Sequence, residues 1–207
     1  YYLTTLIPET VDSSFTWEGF EARVNNELAN NIGNFVNRSL KFFHKNWKDG
    51  IDADKFTGFF EGDSWKSATE KIDSFHKSMN DFKIKEALQT IMSLGQDANT
   101  YFSDREPWAQ FKTDESAAAK TIAESSIYAY LLGCLFEPFL PNLSASILGF
   151  YPQEFIEAKD CVFKADYEKV KSLFSETLTL QKKPKGLVPK IEAEVIQKKN
   201  EQLEAKL

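Results

Sequence analysis

A chain of 207 residues, 42% of them hydrophobic, can bury a sizeable core as one domain or as a bundle with an appendage. Its net charge of -6 excludes a uniformly basic nucleic-acid binder, so any polyanion has to dock on a local patch of Lys and Arg. Cys134 and Cys161 lie in apolar contexts without CxxC spacing, and no signal peptide or membrane-length apolar run is present. A reducing, cytoplasmic setting with no membrane partner is therefore the default. In such a setting the Asn-x-Ser matches at Asn37 and Asn142 carry no glycan. With 18 Phe, 7 Tyr and 4 Trp, the core is expected to be rich in aromatic rings.

In chain order, Ser14 or Thr16 is placed to cap a helix, with Glu18 in its first turn. The stretch from Trp17 to Trp47 lacks proline. It repeats apolar residues at steps of three or four (Phe20, Val24, Leu28, Ile32, Phe35, Val36, Leu40, Phe43, Trp47), which predicts one long amphipathic helix. Asn34, Arg38, Lys41, Lys45 and Lys48 cluster on its opposite face. Gly50, Gly58 and Gly62 then break the period, which predicts a connection with at most a short helical turn. Asp63 or Ser64 caps a second helix, running to about Asn80 with Trp65, Ala68, Ile72, Phe75, His76 and Met79 inward. Asp81 opens a third, with Phe82, Ile84, Ala87, Leu88, Ile91, Met92 and Leu94 inward. The short turn between them predicts an antiparallel pair.

Pro107 is expected to end that helix and to open the next, placing Trp108 at a helix entrance. Asp114 and Glu115 start a fourth long helix whose later part is apolar all round, hence central, and Pro138 and Pro141 bend or end it. A brief helix follows in LSASILGF, and another is expected around Tyr167 to Phe174. The last segment joins a lysine-proline linker to a helix whose seam of Leu187, Val188, Ile191, Val195 and Leu203 has to pack on something. The fold class is all-α: an antiparallel helix bundle with a C-terminal helical extension.

The polar face of the long helix admits two readings. It is either a solvated surface or a ligand-reading face, on which an amide and a guanidinium one turn apart address the edge of a flat base. Lys41, Lys45 and Lys48 are then candidate phosphate contacts, as readily as they are plain solvated charges. Gly33 beside them costs roughly 1 kcal/mol in a helix interior, which a close approach by another chain or a ligand would account for. Trp108 either fills a gap between helix ends or offers its face to an unpaired base.

The blocks ELANNIGNFVNR, KIKEALQTIMSLGQDANTYFSDREPW and FEPFLPNLSASI, in this order, resemble the C-terminal anticodon-binding domain of methionyl-tRNA synthetases, particularly the eukaryotic cytosolic type. The resemblance extends to YYLTTLIPETVDSSFTW before them and GLVPKIEAEV after them. It implies a helix bundle that reads the CAU anticodon of tRNA(Met), behind a class I catalytic domain. Carried over by position, the anticodon-binding residues are Asn34, Arg38 and Trp108, with Pro107 beside the indole, while Asn99 and Tyr101 position the turn before Trp108. On this reading residues 1–15 end a connection from the catalytic domain, 16–160 form the bundle and 161–207 the extension. The implied partners are tRNA(Met) and the upstream catalytic domain, with no role for DNA.

The synthetase signatures of HIGH and KMSKS type do not occur in the chain, nor does a P-loop, a GxGxxG, a metal-ligand set or a nucleophile-base pair. No catalytic residue, metal or cofactor is therefore assigned, and ATP and methionine are expected to bind the catalytic domain. The alternative is a helical protein-interaction scaffold that keeps the fold without RNA binding. The two diverge at one point: an RNA-reading site requires Asn34, Arg38 and Trp108 to meet on an accessible surface.

Overall fold

The computed structural model describes residues 1–8 and 13–204, with side chains through residue 202. Among the described residues the chain is helical without strands; Ile51 and Leu178 form an isolated antiparallel bridge. After α1 (Tyr2–Thr5), Thr16 caps α2 (Trp17–Arg23), its hydroxyl accepting the Gly19 N–H at 3.1 Å. The helical run expected from Trp17 is continuous to Asn46 but not uniform. Val24–Gly33 is π-helical, and α3 (Asn34–Asn46) resumes the α pitch. A π turn carries more residues than an α turn, so Leu28, Ala29, Ile32 and Gly33 all face inward there. The register consequently slips upstream, leaving Phe20 and Val24 only half-buried. In α3 the expected stripe holds, with Phe35, Val36, Leu40 and Phe43 buried. Trp47 closes the helix and Lys48 lies in the turn beyond it, so the helical lysine stripe stops at Lys45.

The connection contains a two-turn helix, α4 (Asp54–Phe60), burying Phe56 and Phe59. Neither Asp63 nor Ser64 caps α5 (Asp63–Asn80). Gly62 holds the extended N-cap position, and the Asp63 carboxylate instead sits in the first turn, where the helix dipole favours it. Asp81 does not open the third helix; it is the C-cap of α5. Phe82 follows at φ 58°, its N–H donating to Met79 O at 3.2 Å and that of Lys83 to Ser78 O at 2.8 Å, the paired bonds of a Schellman stop. Phe82 is thereby thrown out of the core stripe and is 85% exposed. The antiparallel partner α6 (Ile84–Arg105) buries Ala87, Leu88, Ile91, Leu94, Ala98 and Phe102.

After α7 (Pro107–Thr113), Asp114 caps α8 (Glu115–Leu135) by accepting the Ala117 N–H at 2.9 Å. From Thr121 to Leu135 every residue of α8 is buried, as an apolar-all-round helix requires. Helices α3, α4, α6, α7 and α9 (Pro141–Leu148) pack around it. The stretch that follows holds α10 (Gln153–Glu157), α11 (Asp160–Phe163) and the expected helix as α12 (Tyr167–Leu173).

The tail departs from its predicted seam. Pro189 and a pair of hydrogen bonds between the Asn25 carboxamide and the Ile191 backbone, 2.8 and 2.9 Å, hold residues 187–191 outside any helix. The last helix, α13, runs Ala193–Glu204. Its phase turns Ile196 inward and leaves Val195 50% exposed, while Leu187 and Val188 do pack on the core; Leu203 lies outside the described side chains. Helix α13 returns to lie against α2.

Candidate nucleic-acid interface

The site is assembled where α3 meets the corner between α6 and α7. Proline disfavours α conformation in the residue before it, so α6 stops at Arg105 and Glu106 turns the chain at φ 44°, ψ 60°. A left-handed non-glycine residue costs on the order of 1 kcal/mol, and packing on both sides holds it there. Pro107 is buried at the first position of α7, so contact with a ligand falls to Trp108 rather than to the proline. Phe111, one turn on, packs edge-to-face on Phe42 at 5.8 Å and on Trp47 at 5.4 Å, tying α7 to the far end of α3. Tyr101 fastens the end of α6: its phenol donates to the buried Glu124 carboxylate of α8, and the Arg105 guanidinium lies 4.2 Å from its ring centroid. Burial and that carboxylate push the Tyr101 phenol well above its usual range, so it stays a donor. Asn99 lies on the same turn with its Oδ1 buried and unpartnered among the described residues.

With α7 fixed, Trp108 is 36% exposed and its ring centre lies 5.8 Å from that of Phe102. The Arg38 guanidinium carbon sits 5.0 Å from the Trp108 centroid and 5.1 Å from that of Phe102, a cation held by two rings. Among the described residues Arg38 makes no ion pair or hydrogen bond, so its planar donor fork remains available. Asn34 lies one turn before it, exposed. Lys41 and Lys45 continue the same α3 face, exposed and without ionic partners among the described residues, and Lys48 follows from the turn. The structure thus brings Asn34, Arg38 and Trp108 to one accessible surface. Phe102, which sequence reasoning did not single out, is the floor on which Arg38 and Trp108 rest. Its signal was present as the fourth-residue repeat Leu94, Ala98, Phe102, which marks core without saying what lies over it.

Among the described residues no His, Cys, Asp and Glu are grouped to hold a metal ion, and no helix is long and apolar enough to cross a membrane. Both cysteine thiols are buried and pushed up by that burial, which makes them poor nucleophiles.

Residues 55–206 match the family model of the anticodon binding domain of methionyl tRNA ligase. The chain belongs to that family. Residues 1–40 match the model of the class I (M) tRNA synthetases, so Asn34 and Arg38 come from one match and Trp108 from the other. Among relatives, the methionine-tRNA ligase of Pyrococcus abyssi is 38% identical over 151 residues, 71% of this chain and 20% of that protein. The methionine-tRNA ligase of Methanobrevibacter smithii is 33% identical over 212 residues, covering 100% of this chain and 30% of that protein. A probable methionine-tRNA ligase of Oryza sativa is 35% identical over 154 residues, 72% of this chain and 19% of that protein. The chain therefore spans about a fifth to a third of the length of these relatives. They do not single out the eukaryotic cytosolic type. The fold matches that of Mycobacterium tuberculosis methionyl-tRNA synthetase in its apo form, with a TM-score of 0.75 and 22% identity over 93% of this chain and 38% of that one.

Proposed function

We propose that this family member reads the CAU anticodon of tRNA(Met) in the cytoplasm, supporting ATP-dependent charging by a class I catalytic domain of the same polypeptide. The observation that carries the proposal is the meeting of Arg38 and Trp108, 5.0 Å apart at the surface, with Asn34 one turn away. An unstacked first anticodon base, cytosine, lies against the indole. Arg38 donates to its N3 and O2, and the Asn34 carbonyl accepts from its N4 amino group. Uracil at that position presents an N3–H donor to a donor fork and a carbonyl where the amino group was. The contact at N3 fails outright, and the Asn34 carboxamide has to turn over and donate to keep the other. Lys41, Lys45 and Lys48 lie along the phosphate path beside this base.

The division into residues 1–15 as the end of a connection, 16–160 as the bundle and 161–207 as the extension belongs to the same proposal. The class I (M) match begins in that connection and runs on to residue 40. ATP and methionine are substrates for the catalytic domain, and no step of their chemistry is assigned to these residues. Burial of Trp108 or Arg38 inside the bundle would favour the alternative of a protein-interaction scaffold without RNA binding, and neither group is buried.

The direct test is Trp108→Ala. Loss of a base stack should weaken binding of a CAU hairpin by roughly 1 to 3 kcal/mol, with a smaller change in the unfolding midpoint. Unchanged RNA affinity together with a loss of folding would place the indole in the core instead.

A further inference from the structure

The lysine-proline stretch before α13 finds no use in the site as described, yet the fold lays it beside that site. Residues 180–191 carry four lysines and no acidic residue. Their path is fixed at both ends. At the start, the Gln181 N–H donates to Phe150 O at 2.8 Å, and the Lys182 ammonium sits 5.3 Å from the Phe150 ring centre. At the far end the Asn25 carboxamide clamps the Ile191 backbone on both its N–H and its carbonyl. Between these anchors Pro184 is buried and Val188 packs at Gly33, the last residue of the π-helical run before α3. A Cβ added to that glycine would meet Leu28 O at 3.1 Å and Val188 at 3.5 Å, so the segment packs closely on the helix here, at ordinary van der Waals distance.

A groove of about 320 Å³ results, lined by Asn30, Asn34 and Asn37 on the helix side and by Gly186, Val188 and Lys190 on the other. At about 100° per residue, Asn34, Lys41 and Lys45 of α3 project between Asn37 and Arg38. Trp108 stands on the Arg38 side of this strip, the segment 186–190 on the Asn37 side. The Oδ1 of Asn37 is buried without a partner among the described residues. Lys190 lines this groove, and Lys183 and Lys185 line the adjoining one with Ser146 and Phe150; all three are exposed, and none pairs with a carboxylate among the described residues.

We infer that the segment from Gly186 to Lys190 is the second wall of the RNA site, opposite Trp108, and that Lys190 on this wall, with Lys185 and Lys183 continuing the basic stretch beyond it, binds the phosphodiester backbone of the loop whose base lies at the indole. This rests on the anticodon-reading proposal and extends it from a base-reading face to a two-walled channel. Phosphates are the ligand because the wall offers ammonium groups without planar donor forks, which attract charge but do not distinguish bases. Asn25 is a positioning residue: it touches no RNA and holds the wall in place.

The experiment measures binding of CAU and UAU hairpins at several salt concentrations. The triple variant Lys183→Gln, Lys185→Gln, Lys190→Gln, all at exposed positions, should lower the salt slope by about 2, at roughly 0.7 per phosphate contact, and leave the ratio of the two affinities unchanged. Asn25→Ala keeps every charge, so a long-range field is preserved; it should still lower the slope because the wall is no longer held. A parent chain that binds the hairpin with the same slope as the triple variant overturns the wall alone. A parent chain that binds neither hairpin overturns the anticodon reading and the wall with it. A slope lowered in the triple variant but intact in Asn25→Ala overturns the fixed wall in favour of diffuse charge.

Discussion

At the scale of single residues, the site as proposed divides groups that read from groups that hold. Arg38 has its cation over two rings, which limits its freedom without consuming its donors, so less ordering entropy is lost when it meets a base edge. Lys45 has no such frame: its ammonium is an exposed point charge on a flexible stem. Lys45→Ala is therefore expected to weaken CAU and UAU hairpins alike and to lower the salt slope by about 0.7 to 0.9; a parallel pair of titrations at varied salt checks it. An unchanged slope would return Lys45 to the solvated surface. Away from the site, His76 in α5 has its Nε2 buried without a partner among the described residues. Desolvation lowers its pKa below the ordinary 6.5 against the opposing pull of Asp73. The unfolded chain then binds a proton that the folded chain refuses. Stability should accordingly fall as pH drops from about 6.5 towards the folded-state pKa. His76→Gln should flatten that part of the curve, as followed by thermal melts between pH 5 and 8. A curve unaltered by the substitution would assign the dependence to other groups.

At the scale of elements, the decisive feature is a short helix held between two long ones. Helix α7 carries Trp108, and its placement depends on the turn at Glu106–Pro107 before it and on the capped start of α8 after it. The Asp114 carboxylate accepts a backbone N–H of the first turn of α8, so Asp114→Ala should destabilise the fold by about 0.5 to 2 kcal/mol, measured by urea denaturation. A change within error would mean that packing of the buried helix alone sets its start. The same elements show where sequence reasoning succeeds. Proline at 107 and Asp at 114 act through local sterics and local hydrogen bonds, so both helix starts were legible. The π-helical run from Val24 to Gly33 was not legible, because its spacing also satisfies an α-helical stripe; within it Ala29 and Gly33 are buried beside Leu28 and Ile32. Phe82 misled for the opposite reason: an apolar residue at the right interval was diverted by a left-handed helix stop, where glycine is the usual signal.

At the scale of the whole molecule, the bundle is a frame built around one buried helix, α8, and the candidate site lies where several elements meet at its side. Asn34 and Arg38 lie roughly 70 residues before Trp108, and sequence alone gives no reason for Arg38 and Trp108 to meet over Phe102. Resemblance suggested their joint use; the aromatic links between α3, α6 and α7 supply the physical means. The course of the tail was the least legible part, since the Asn25–Ile191 clamp joins residues 166 apart and cancels the helix that periodicity suggests there. The most direct measurement of anticodon reading is the affinity ratio between CAU and UAU hairpins, for the parent chain and for Arg38→Ala. The parent chain is expected to favour CAU by about 1 to 3 kcal/mol, the worth of one well-formed set of base-edge hydrogen bonds, and Arg38→Ala to remove most of that preference. Equal affinity of the parent chain for the two hairpins, or a preference that survives Arg38→Ala intact, would contradict it.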